Sequence, residues 1–526
     1  MPVMAYSSYQ EVGRSELIHD RWAIKMLHEI IVQQAQAQPD APAILWQQQV
    51  ISYAELQANI TLAIKAIQSH SDCGDRVAIL ALNNPSYIEL LYAIPAAGRI
   101  CVPLNTRLSV SALAEQLITL EVSLLIGDHD LIEQLRPSMP ASVATVPFAD
   151  YRQWRHACAD QPAVKIAEPK PDDTAWLLFT SGTTGKPKAA CISHRSLLAG
   201  LASANQGRPV LPGDRYLYPF PLFHIAAHNV FHQHQQGAAV ALLPSFDAEA
   251  VLAVCLQQQI TTLSLAPTMM TLLLDSPSYH RNKLASVRVI GYGASAITPR
   301  LLSRVLAETD CDLSQGFGMT ELSGTIAFLG PEQHRLAATT APELLQSVGQ
   351  LVDDVDCRVI DQLGEEVALG EAGEIIVRGA QVISHYWNNP LASAETFKQG
   401  WLYTGDIGRF DAQRNLTIVD RKKDIIISGG ENIASREVED VISLMNNVKQ
   451  VAVVGIPDQK WGERVCAMVE RTQDRLSQPS EADVIKQCKK QLASYKSPKQ
   501  VRFSELPMNA NGKIDKQSVR MFFTES

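Results

Sequence analysis

Residues 179–188, FTSGTTGKPK, put four hydroxyls, two glycines and two lysines directly after an apolar run. Hydroxyls, unhindered glycine amides and ammonium groups are the equipment of a loop that holds polyphosphate. A Walker A loop is excluded, because that motif needs four residues between its glycine and its Gly-Lys pair, and Ser or Thr after the lysine. Here only Thr183 and Thr184 separate Gly182 from Gly185-Lys186, and Pro187 stands where a hydroxyl would meet Mg²⁺.

Further chemistry-bearing stretches follow in order: GYGAS at 291–295, QGFGMTE at 315–321, YTGDIG at 403–408, DRKKDIIISGGENI at 420–433 and LPMNANGKIDK at 506–516. Glu321 offers a hard oxygen donor suited to a hard cation. Asp406, taken alone, is a turn residue. Gly429-Gly430 lets a backbone approach a thin ligand, since no Cβ intrudes. Lys513, in the turn predicted at NGK, carries a flexible point charge. Phe317 by itself reads as a core aromatic. His224, His228 and His232 in LFHIAAHNVFHQH are spaced like metal ligands on one helical face, but no carboxylate or cysteine accompanies them. His228 and His232 therefore read as packed helix residues.

In this order and spacing the stretches resemble the adenylate-forming superfamily of acyl-CoA synthetases, peptide-synthetase adenylation domains and luciferases, over about residues 25 to 520. The resemblance implies two half-reactions. A carboxylate attacks the α-phosphate of ATP and expels pyrophosphate; a thiol then displaces AMP from the acyl group. It also implies Mg²⁺ and cationic donors where negative charge accumulates. Thr180, Ser181, Gly182, Thr183, Thr184, Gly185 and Lys188 then form a pyrophosphate clamp, with Lys186 and Lys188 supplying charge. Thr320 is the implied phosphate-contacting hydroxyl and Glu321 the Mg²⁺ ligand. The nucleotide base and ribose are assigned to Gly293, Ala294, Ser295, Gln315, Gly316, Phe317, Gly318, Asp406, Ile418 and Arg421. Lys513 is the implied catalytic lysine, entering the site as a small domain rotates about Lys423. That rotation exchanges Lys513 for Ser428, Gly429, Gly430 and Glu431 on the thiol side. Three positions depart from the family pattern: Ala189 replaces a usual glycine, Phe317 a usual Tyr or Trp, and Lys423 a frequent Asp.

The acyl pocket implied by the resemblance is lined by His224, Ile225, Asn229, Val230, Tyr292, Gly316, Met319 and Leu322. Amino-acid-activating relatives place an Asp at the start of the corresponding helix. FHIAAHN has none, so a free α-amino acid is disfavoured and a mainly apolar lining suits a fatty or aromatic acid. Trp461 in PDQKWGERV resembles the residue that stacks on the nucleotide of coenzyme A, which makes CoA the expected thiol. The phosphopantetheine of a separate carrier protein is the alternative, and a luciferase-like oxygenase a more distant one. A P-loop kinase is set aside by the loop spacing.

The elements that must position these residues read as an α/β protein. VAILAL, NNPSYIELLYAIPAAG and RICVPLN spell strand, helix and strand, with the helix opened by Asn and Pro. Similar units recur at AVALLP, ITTLSLAP and SVRVIGYGAS. The clamp loop follows the strand AWLLF and precedes SHRSLLAGLASA, a helix with Ser193 as N-cap. Strand, loop and helix is the expected cradle. Near residue 420 the pattern becomes a small α+β set, which predicts a large domain over 1–420 and a small mobile one over 421–526, jointed at 420–424.

Bulk composition restricts the function classes. A chain of 526 residues exceeds one ordinary core, and 46% hydrophobic with 19% charged residues is that of a globular protein. A net charge of −9 gives no basic footprint for nucleic acid. Nine dispersed cysteines without a CxxC pair suit a reducing cytoplasm rather than a disulfide framework or zinc site. Neither a signal-peptide pattern nor a membrane-spanning apolar run is expected, and oligomeric state is not legible.

Overall fold

The computed structural model describes residues 24–159, 168–180, 187–293, 295–472, 478–510 and 512–524. Contacts divide the chain into two units: Met1–Val355 with Gly379–Phe397, and Asp356–Arg378 with Lys398–Ser526.

The first unit holds two sheets. Six strands run in the order Ala144–Pro147, Val122–Gly127, Arg76–Leu80, Ile100–Pro103, Thr174–Thr180 and Lys188–Ser193. Neighbours are parallel except for the last pair. The second sheet has nine strands, with the parallel set Asp312–Met319, Val289–Gly293, Thr262–Ser264, Arg215–Tyr218, Ala239–Leu242 and Pro42–Trp46 at its centre. The crossover helix Pro85–Ala96 forms where the sequence predicts it. Asn84 accepts from the Tyr87 amide at 3.1 Å, and Pro85 opens the first turn, where it forfeits no helical donor. Buried aromatics, among them Trp176, Tyr87, Tyr92 and Phe231, fill the core beneath.

One element differs from expectation at the loop itself. Between the clamp loop and the helix His194–Gly207 lies another strand, Lys188–Ser193, antiparallel to Thr174–Thr180 with Thr180 opposite Lys188. The segment before the helix is therefore a strand paired with Thr174–Thr180, where the sequence predicts strand, loop and helix in direct succession. The run between the loop and Ser193 announces no element of its own in the sequence, because a short stretch of small apolar residues carries no period. Its strand geometry is fixed by distant backbone: Trp387 N–H donates to Ala189 O at 2.8 Å and Cys191 N–H to His385 O at 3.2 Å. Ser193 does cap the helix, accepting from the Ser196 amide in a capping box.

The second unit is α+β. Trp401–Phe410 pairs antiparallel with Gly373–Gly379 and Leu416–Arg421. A further sheet contains Ile426–Ser428, Glu431–Ile433, Gly462–Arg471, Val448–Asp458 and Gln500–Phe503, with helices Ser435–Ser443, Glu481–Gln491 and Lys516–Thr524 supplying apolar faces to its cores. The joint expected at 420–424 lies inside this unit. Polar contacts cross it: Arg421 Nε stands 3.1 Å from Asp406 Oδ1, Lys422 Nζ 2.7 Å from Glu374, and Asp420 Oδ2 accepts from the Ser435 amide and hydroxyl. Among the described residues no helix is long and apolar enough to cross a membrane, and all nine cysteines are free.

Candidate active site

In the first unit the parallel strands deliver their carboxyl ends to one region, where open α/β sheets bind ligands. Gly293 and Gly316 lie in register at the ends of adjacent strands. Gln315 is buried and Phe317 half-buried, while Gly318 and Ser295 are exposed. After Met319 the chain tightens into a 3₁₀ turn, Thr320–Leu322, ended by Ser323 in the left-handed region at φ 50°. The turn is gripped from behind, since Ile383 N–H donates to Glu321 O at 3.0 Å and Gln381 Nε2 to Leu322 O at 2.9 Å.

Glu321 is buried at 6% exposure, and its Oε1 accepts from the Tyr386 hydroxyl at 2.9 Å. Burial comes first among the causes that push the Tyr386 phenol upward, with the Glu321 charge adding to it, so the hydroxyl stays a donor. The Lys188 ammonium lies 5.1 Å from the centroid of the same ring. The structure thus brings Thr180, Lys188, Glu321 and Tyr386 together. Tyr386 carried no signal in the sequence: it stands far downstream in HYWNNP, and only folding sets it between Lys188 and the Glu321 carboxylate. Ser181, Gly182, Thr183, Thr184, Gly185, Lys186 and Ala294 lie outside the described residues.

Glu321 has no ion pair among the described residues, and no group of three ligating side chains occurs among them. A buried carboxylate without a basic partner fits a hard divalent cation.

The expected acyl-lining residues are less uniform. His224 precedes the helix instead of starting it, its ring edge-on to Phe223 at 4.5 Å. His228 and His232 lie on the helix His228–Gln235, both buried, with His232 Nε2 3.3 Å from Asn205 Oδ1. Val230 and Leu322 are core residues, and Ile225, Gly316 and Met319 are half-buried. Tyr292 places its hydroxyl between Gln315 Oε1 at 3.2 Å and His334 Nε2 at 2.7 Å. Asn229 accepts from Arg208 Nη2 at 2.5 Å. Arg208 went unnoticed because a lone arginine after a helix end announces nothing.

In the second unit Asp406 and Arg421 face one another in register and form an ion pair. Ile418 is half-buried on the same strand as Arg421. Lys423 is exposed in the 3₁₀ turn Lys422–Asp424. Ser428 and Glu431 pair across a two-residue turn made by Gly429 and Gly430, at φ 62° and 84°. Both left-handed conformations demand glycine there. Gly429 N–H donates to Trp461 O at 2.7 Å, and a Cβ at 429 would meet the Trp461 ring at 3.1 Å. The turn and the 43%-exposed indole form one surface. Lys513 is exposed beyond Gly512, in a turn tied by Asn509 N–H to Lys513 O at 2.8 Å. Its neighbour Lys516 is occupied by Ser435 and Glu439.

Comparisons with known proteins agree with this arrangement. The model of AMP-binding enzymes matches residues 31–387, and that of the AMP-binding enzyme C-terminal domain matches 437–513. The feruloyl-CoA synthase of an Amycolatopsis species is 33% identical, over 94% of this chain and 98% of its own. The long-chain-fatty-acid–CoA ligase FadD13 of Mycobacterium tuberculosis is 33% identical, over 85% and 88%. The o-succinylbenzoate CoA synthetase MenE of Bacillus subtilis, solved with the acyl-adenylate intermediate OSB-AMP, superposes with a TM-score of 0.80 at 29% identity, covering 93% of this chain and 97% of that one. With both family models matched in order around the Glu321 turn and the Lys513 turn, the chain belongs to the AMP-binding enzyme family.

Proposed function

We propose that this chain is an AMP-forming acid–CoA ligase that activates a fatty or aromatic carboxylic acid with ATP and passes the acyl group to coenzyme A. The observation that carries the reading is the buried Glu321, which accepts from the Tyr386 hydroxyl while the ring of the same tyrosine meets the Lys188 ammonium.

In the first half-reaction a carboxylate oxygen attacks the α-phosphorus and the bond to pyrophosphate breaks. Lys188, Thr180 and the loop 181–186 hold the departing phosphates, and Thr320 offers its hydroxyl to the α-phosphate. Glu321 would hold Mg²⁺, which when bound offsets the charge of the crowded phosphates. Asp406 and Arg421 take the ribose, and Lys513 bridges the carboxylate and the α-phosphate as a mobile point charge. His224 borders the reacting carboxylate. In the second half-reaction sulfur bonds to the acyl carbon, the C–O bond to AMP breaks, and the thiol proton passes to solvent. Rotation of residues 421–526 about Lys423 removes Lys513 and presents the Gly429-Gly430 turn and Trp461 to the thiol. The turn admits a narrow pantetheine arm and the exposed indole offers a stacking face.

Lys513→Ala tests this division of labour. Acid-dependent ATP–pyrophosphate exchange should fall at least a hundredfold, by the order of magnitude of an electrostatic transition-state contact. Thioester formation from a supplied acyl-adenylate should be largely retained. Equal loss in both assays would refute the rotation. Supplying CoA and a phosphopantetheinylated carrier protein in parallel decides the acceptor.

A further inference from the structure

We propose that Arg208 and the polar layer around it recognise a second oxygen acceptor at the far end of the acid, so that the preferred substrate carries a distal carboxylate, carbonyl or phenolic oxygen. This rests on the ligase reading, in which Asn229 borders the acyl pocket.

Ser264, Gly291 and Ser314 occupy one register across three parallel strands, so their side-chain positions share a sheet face. Gly291 leaves a gap in that row, and Arg208 fills it: a Cβ at 291 would collide with Arg208 Nη1. The guanidinium donates from Nη1 to Ser264 Oγ at 3.1 Å and from Nη2 to Asn229 Oδ1 at 2.5 Å. Tyr216 donates to the same Ser264 oxygen at 2.8 Å. Among the described residues Arg208 has no carboxylate partner, and its charged neighbour is another cation, Arg288, whose own partner is Asp214. Burial acts first against the charge of Arg208, Tyr216 favours it, and Arg288 opposes it, the balance lying against the charge. Arg208 is half-buried, and a partly desolvated guanidinium whose side-chain partners are all neutral oxygens is under-compensated until an anion or a strong dipole completes it.

The surrounding layer is also incomplete. His228 Nε2, His232 Nδ1, Ser314 Oγ and Ser323 Oγ are buried without a hydrogen-bond partner. Buried polar atoms are ordinarily satisfied, so several orphans on neighbouring elements point to a polar guest. They connect Arg208 to the catalytic end, because Ser323 directly follows the Thr320–Leu322 turn and Gly324 faces the His228 ring. A plain hydrocarbon tail would desolvate these groups and give nothing in return. This revises the apolar lining expected from the sequence.

The test is kcat/KM for AMP formation on pairs of acids matched in length, one bearing a distal carboxylate, ketone or phenol and the other a methyl or hydrogen. The intact enzyme should favour the oxygen-bearing member roughly tenfold to a hundredfold, the range of a charge-assisted hydrogen bond. Arg208→Met should bring the ratio toward one, and so should Asn229→Asp, which pairs the guanidinium internally. Comparing the carboxylate and ketone arms distinguishes an anionic guest from a neutral one. A ratio near one in the intact enzyme overturns the proposal, and so does a preference that survives Arg208→Met. If either variant fails to fold, the intact-enzyme pairs still decide. Failure of every acid to yield AMP would overturn the ligase reading itself, and this inference with it.

Discussion

A single phenol links the two halves of the phosphate chemistry. Tyr386 donates a hydrogen bond to the Glu321 carboxylate and turns its ring toward the Lys188 ammonium, so in the proposed reading it is a positioning residue for the carboxylate that would hold Mg²⁺. Residues that orient a metal-bound carboxylate commonly govern metal affinity by tenfold or more. Tyr386→Phe keeps the ring and removes only the donor. It should raise the Mg²⁺ concentration giving half-maximal pyrophosphate exchange by roughly tenfold. Thioester formation from supplied acyl-adenylate should be untouched, and Mg²⁺-dependent ATP binding by calorimetry should weaken in parallel. A Mg²⁺ titration superimposable on that of the unmodified enzyme would eliminate the role. Glu321 could be found from sequence because its neighbours form a local word, GMTE. Tyr386 and Arg208 could not, because each acquires meaning only from residues distant in the chain.

The small helix Ser435–Ser443 shows how an element can depend on a residue outside it. Its N-cap is Ala434, which has no side-chain acceptor. Asp420, the first residue of the expected joint, supplies one: Oδ2 accepts from the Ser435 amide at 2.5 Å, the Ser435 hydroxyl at 2.8 Å and the Arg436 amide at 3.4 Å. A carboxylate at a helix N-terminus satisfies orphan amides and meets the positive end of the dipole. Asp420→Ala should therefore cost about 1 kcal/mol locally. The check is hydrogen–deuterium exchange of a peptide covering the first turn of this helix, expected to quicken roughly fivefold. Unchanged exchange would show that the cap is dispensable. At this scale the sequence was legible where capping is local, as at Asn84 and Ser193, and illegible where the partner is remote. The strand Lys188–Ser193 failed for the same reason, since the backbone that pairs it arrives with residues 385–387.

Across the whole molecule, the order of motifs disclosed the family, but contacts group residues 398–420 with the C-terminal region and not with the large unit. The polar bonds spanning the joint are long-range and leave no trace in composition. A second property of the whole is its burial of imidazoles. His194, His228, His234 and His334 are each pushed down to about 4, chiefly by burial. Hydrogen bonds to backbone carbonyls pull three of them back up without overcoming burial. His228, His234 and His334 each set one ring nitrogen against a backbone carbonyl, at 2.9, 3.1 and 2.7 Å. In His234 the other nitrogen faces the Tyr92 hydroxyl, which donates to it when the ring is neutral, leaving no seat for a second proton. Unfolded imidazoles bind protons near 6.5, so from there down to about 4 the unfolded chain holds more protons than the fold. Stability is thus complete above pH 6.5 and is lost as pH falls through that window. Each imidazole contributes up to about 1.4 kcal/mol per pH unit. Glu89, whose carboxyl burial raises to about 7 against the pull of Arg155, acts in the opposite sense and offsets one of the four. Exposed carboxylates with lowered values, such as Asp172 and Asp310, titrate below this range. Urea midpoints should therefore be level from pH 8 to 7 and decline steeply from 6.5 to 4.5. His234→Gln should start less stable yet decline less steeply, and an equal slope in both proteins would mean that this ring takes up its proton without cost to the fold.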